Sequence, residues 1–119
     1  MKAAFIILAS GVLLFGCSRD TKLQKEVVGN WKRDSYFRMT VSPDGSFVSH
    51  WATTNESLTY QGTWKIQAGM MISTITNCVA EGYTNHQPVG NVESYAILKA
   101  NATELVYSNN NQIISFRRQ

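Results

Sequence analysis

The sharpest pattern in the chain runs from Leu58 to Gln67. Leu58, Tyr60, Gly62, Trp64 and Ile66 fall on one parity, and Thr59, Gln61, Thr63, Lys65 and Gln67 on the other. A period of two with one apolar and one polar face predicts a strand half covered by a core. Trp31 to Val41 repeats the pattern more loosely, with Trp31, Phe37, Met39 and Val41 on one side, and Gly45 to Thr54 places Phe47 and Trp51 together. Met70 to Cys78 is rich in Ile and Thr and mixed in its facing. Beyond residue 26 nothing sustains the 3.6-residue period of a helix.

Turn chemistry separates these runs. Ser42-Pro43-Asp44-Gly45 has Pro and Gly where a tight turn wants them, and Ala68-Gly69 stands at hairpin distance between two strands. Ala100-Asn101-Ala102 and Asn109-Asn110-Asn111 do the same for the last two hairpins, while Ala80 to Asn91, with two Gly and one Pro, reads as a long loop. The expected strands are roughly 29–35, 36–42, 45–54, 57–67, 70–79, 92–99, 103–108 and 112–118. About eight short antiparallel strands joined by tight turns predict an all-β, up-and-down barrel, because closure removes both open edges. A two-sheet sandwich is the structural alternative. An eight-stranded barrel is either filled by its own side chains or just wide enough for one small ligand.

Residues 1–16 read as an export signal, with Lys2 ahead of an apolar run from Ala3 to Phe15 that is too short to span a bilayer comfortably. The run ends in Leu14-Phe15-Gly16-Cys17. This resembles the lipobox of bacterial lipoproteins, which implies cleavage before Cys17 and attachment of acyl chains to its sulfur. Ser18 stands where lipoproteins kept at the inner membrane typically carry aspartate, so the resemblance implies the periplasmic face of an outer membrane. Residues 17–26 are polar and without strand pattern, and are expected to be a tether; the domain proper is expected over 27–119. With Cys17 acylated, Cys78 has no partner for an internal disulfide, and its neighbours Ile75, Thr76 and Val79 suggest a small buried hydrophobe.

Composition narrows the function. The 119 residues are 44% hydrophobic and 16% charged, enough for one packed domain and too apolar for disorder. Eleven basic and eight acidic side chains give a net charge of +3, too small and scattered for a nucleic-acid partner. No glycine-rich phosphate loop, Ser/His/Asp spacing or His-Glu-x-x-His helix occurs. His50, His86 and Cys78 lack the paired spacing of metal ligands. The expectation is a monomer that is no enzyme and carries neither metal nor cofactor.

Gly29-Asn30-Trp31 resembles the Gly-x-Trp opening of lipocalin-like domains. The order Gly-x-Trp, then Asp44-Gly45-Ser46-Phe47, then Gly62-Thr63-Trp64 is similar to that of small bacterial lipocalin-like lipoproteins, across roughly residues 27–118. The resemblance implies that Trp31 plugs one barrel end under a basic residue of the last strand, and Arg117 and Arg118 both stand at that place. A small barrel offers an apolar interior and a loop-rimmed mouth, so a binding role is expected, with Met39, Trp51, Tyr60, Trp64 and Met71 as candidates to line a cavity for a small apolar ligand. A second expectation is a periplasmic protein partner, as for lysozyme inhibitors or envelope assembly and stress factors. The 80–91 loop would then supply Tyr83, Asn85, His86 and Gln87.

Overall fold

The computed structural model describes residues 19–119 apart from Asn85. It opens with a helix over residues 19–26 (α1). Eight strands follow: β1 (Gly29–Lys32), β2 (Phe37–Val41), β3 (Ser46–Ala52), β4 (Ser57–Gln67), β5 (Met70–Glu81), β6 (Val92–Ala100), β7 (Glu104–Asn109) and β8 (Gln112–Arg118). Each pairs antiparallel with the next, and β1 pairs with β8, so the sheet is a closed up-and-down barrel. The seam is short: Trp31 stands opposite Arg118 and Lys32 opposite Arg117, and Gln119 N–H donates to Asn30 O (2.9 Å).

The Leu58–Gln67 alternation appears in β4 as it reads in the sequence. Leu58, Gly62 and Trp64 are buried, whereas Gln61, Thr63, Lys65 and Gln67 are exposed. In β5 the facing reverses part-way: Met71, Ser73 and Ile75 point in, then Thr76 and Asn77 are both exposed and Cys78 turns inward. A register shift opposite Gln61 and Gly62 causes the reversal, as a β-bulge does by inserting one unmatched residue. Cys78 is consequently half-buried opposite Tyr60 instead of lying in the core. Gly62 is needed at this bulge, because a Cβ there would collide with the Thr74 carbonyl oxygen and come within 2.6 Å of the Phe47 ring.

Two local expectations change. The first strand stops at Lys32, because the Asp34 carboxylate accepts the Tyr36 and Phe37 N–H groups (2.8 and 2.9 Å) and turns residues 33–36. The 17–26 segment is not a loose tether where it is described: residues 19–26 are helical and docked. So short a helix would not hold in isolation. Leu23 packs against the core, and the Asp20 carboxylate accepts N–H groups from both Ala68 and Gly69 (3.0 Å each). Ala68 and Gly69 both have positive φ (53° and 75°), the geometry of a two-residue hairpin turn. Asp20 thus clamps the β4–β5 turn across 48 residues of chain.

Candidate functional site

The up-and-down topology gathers α1 and the turns at 42–45, 68–69 and 101–103 at one barrel end. The loops at 33–36, 53–56, 82–91 and 110–111 gather at the other. The α1 end is shut. Trp31 is fully buried there, and its indole N–H donates to Val27 O (2.8 Å). The guanidinium carbon of Arg118 lies 4.2 Å from the Trp31 ring centroid. The same group donates to the carbonyls of Val28 (2.7 Å), Glu26 and Ala102 (both 2.9 Å) and Asn101 (3.1 Å). Gly29, with φ of 146°, leaves the space for that guanidinium; a Cβ would run into it. Arg118 is therefore the residue that covers Trp31, while Arg117 is exposed on the outer face.

Above this plug the barrel is not filled. A cavity of about 240 Å³ remains inside, open toward the loop end, where Arg33, Gln87 and Asn109 stand at its rim. Its wall is mostly aromatic and aliphatic, with Phe37, Phe47, Tyr60, Tyr95 and Tyr107 the large rings. Ser49 and Ser73, each 7% exposed, and Glu93 are polar groups in the wall. Tyr95 and Tyr107 pack with ring centroids 4.6 Å apart. Burial pushes the Tyr107 phenol up to about 12, with smaller opposing influences from Arg33, which lowers it, and Glu93, which raises it. Tyr60 is also raised, first by burial.

The long loop forms part of the mouth. Gln87 N–H donates to the Tyr60 hydroxyl (2.6 Å), and the Gln87 side-chain oxygen accepts from Asn91 (2.8 Å). Tyr83 packs edge-on against Trp51 at 5.4 Å. His86 is exposed, its Nδ1 3.2 Å from Gln87 O within the same loop. Asn85 lies outside the described residues, as does Cys17.

Of the five residues expected to line a cavity, Met39, Tyr60 and Met71 do so. Trp51 and Trp64 do not. Trp51 sits at the loop end of β3, where Tyr83 covers it, and Trp64 lies toward the closed end with its indole N–H bonded to Ser42 O (2.9 Å). The sequence reading missed Glu93, Tyr95 and Tyr107. The alternation Glu93-Tyr95-Ile97 carries the signal for β6, but Leu98 and a register shift between Ile97 and Lys99 break the period beyond it. His50 bonds Thr59 Oγ1 (2.8 Å) across the outer face, and Cys78 lies beside Tyr60. Among the described residues no three His, Cys, Asp or Glu side chains lie close enough to hold a metal ion.

A lipocalin-like protein from Bacteroides uniformis has the same architecture. Its crystal structure superposes with a TM-score of 0.63 over 79% of this chain and 99% of that one, at 11% sequence identity. The fold is lipocalin-like. No protein-family model matches the chain, and no curated protein matches it in sequence. At that identity the likeness concerns the fold alone, and function has to be argued from the cavity.

Proposed function

We propose that the protein is a lipid-anchored envelope protein whose barrel binds one small, largely apolar molecule without transforming it. The observation that carries this reading is the unfilled, aromatic-walled space above the Trp31 plug, open at one end only. Small-molecule sites are concave and mostly apolar, with a few polar groups that fix orientation; Ser49, Ser73 and the Tyr60 hydroxyl fit that description. The 82–91 loop is held over the mouth through Gln87 and Tyr83, which favours a wall of the cavity over a probe for a protein cleft.

The anchor rests on Leu14-Phe15-Gly16-Cys17. Acyl chains on Cys17 would hold the protein on the periplasmic face of an outer membrane, each buried methylene contributing ~0.8 kcal/mol. Arg19, at the start of the described helix, follows Cys17 by two residues, or at most ~7 Å of chain. With α1 docked on the shut end, so short a link to an acylated Cys17 would hold the plug toward the lipid and leave the mouth toward the periplasm. The protein acts there as a monomer.

Native mass spectrometry of the Cys17→Ser protein, purified from its host without detergent, tests the binding role. A co-purifying small molecule, lost in a Ser73→Phe variant that fills the cavity, is the expected result. A bare protein mass from every preparation counts against it. For the anchor, Cys17→Ser should move the protein to the soluble fraction, and unchanged membrane retention would contradict acylation.

A further inference from the structure

We propose that the cavity selects a small amine carrying an aromatic or apolar body, with its ammonium group held by the Glu93 carboxylate among the wall aromatics. This rests on the small-ligand reading above and adds the chemical class of the ligand. Glu93 belongs to the inner row of β6 together with Tyr95 and Ile97, is half-buried, and stands opposite the buried Ser73 of β5. The ion pairs among the described residues are Lys22–Glu26, Arg33–Asp34 and Lys99–Glu104, and Glu93 belongs to none of them.

The cation at the rim is already occupied. Arg33 Nε lies 3.2 Å from Asp34 Oδ2, and its guanidinium packs 4.9 Å from the Phe37 ring centroid. Arg33 thus has Asp34 as a partner, whereas Glu93 stands in no ion pair among the described residues. Its field reaches the same space, though not alone: Glu93 is the smallest of the influences on Tyr60, and at Tyr107 it follows burial and the larger, opposing influence of Arg33. Tyr107, titrating only at about 12, stays neutral and adds no rival negative charge.

The rest of the wall suits a cation with an apolar body. Ring faces carry negative quadrupole potential and attract ammonium groups within ~6 Å, most strongly where water is excluded. Phe47, Tyr60, Tyr95 and Tyr107 present four rings around one volume, beside Phe37, on which Arg33 already packs. A carboxylate ligand would meet Glu93 as a like charge, and a neutral ligand would leave Glu93 partly desolvated and unpaired.

Calorimetric titration of the purified protein with 2-phenylethylamine, 2-phenylethanol and phenylacetate separates these cases, since the three are nearly equal in size. The amine is expected to bind at least about tenfold more tightly than the alcohol, the scale of one charge-assisted hydrogen bond, and phenylacetate least of all. Glu93→Gln should abolish the preference, weakening the amine and bringing it to the affinity of the alcohol measured on the same variant. Added salt should weaken the amine selectively, a readout that needs no variant. If the alcohol binds and the amine binds no better, or binds equally well to Glu93→Gln, the amine proposal falls and the cavity reading stands. If none of the three binds and no molecule co-purifies, both fall together.

Discussion

Arg118 offers the strictest test of how the barrel is closed. Its guanidinium makes four hydrogen bonds to carbonyl oxygens on α1's last residue, the approach to β1 and the β6–β7 turn, and it stacks on Trp31. Arg118→Met keeps most of the aliphatic stem and deletes these contacts. At ~1 kcal/mol net for each hydrogen bond and ~0.5–2 kcal/mol for the cation over the indole, the loss is about 3–5 kcal/mol once the more exposed carbonyls regain water. That is a large part of the ~5–15 kcal/mol by which a domain is normally stable. In urea, with a slope of ~1–3 kcal/mol per molar, the unfolding midpoint followed by tryptophan fluorescence should fall by roughly 2 M. Arg117→Met, at the adjacent exposed position, should change stability by less than ~0.5 kcal/mol. Gly29→Ala should cost nearly as much as Arg118→Met, and the pair together much less than the sum, because both break the same contact. Equal midpoints for Arg117→Met and Arg118→Met, or additive losses in the double variant, would refute this account of the seam.

Three further outcomes follow from local geometry. Ala68→Gly should stabilise by about 0.5–1 kcal/mol in the same assay, since Ala68 holds φ at 53° and the relief exceeds the added freedom of the unfolded chain. Gly62→Ala should destabilise by about 2–3 kcal/mol, because its Cβ meets Thr74 backbone and the Phe47 ring at the bulge; a neutral result would mean that β5 shifts freely. Tyr107 keeps its proton to about 12 when folded, against 10.0 as its ordinary value, so the unfolded chain holds fewer protons between those limits. Its contribution is therefore intact below pH 10 and drains away as the pH rises toward 12, by about 2–3 kcal/mol in all. Tyr107→Phe should flatten this part of the stability–pH curve, and an unchanged slope would place the phenol in water.

The strand number, their order and the inward parity of β4 were legible in the amino-acid sequence, because a half-buried strand must alternate and a tight turn demands particular residues. Gly29-Asn30-Trp31 and the paired arginines likewise marked the two ends of the seam. Ser42 to Gly45, Ala68-Gly69 and the asparagines at 109–111 announced their turns for local reasons of the same kind. Tertiary structure decided whatever depends on partners distant in the chain. The reversal of facing within β5 comes from a bulge against β4, and α1 is helical because Leu23 and Asp20 find the closed end of the barrel. As neighbours in one strand Arg117 and Arg118 must face opposite sides, but only closure onto β1 could make the Arg118 face the inner one. The cavity belongs to the same class of fact: an unfilled volume is the difference between the room that eight strands enclose and the side chains sent into it, and no residue carries it alone.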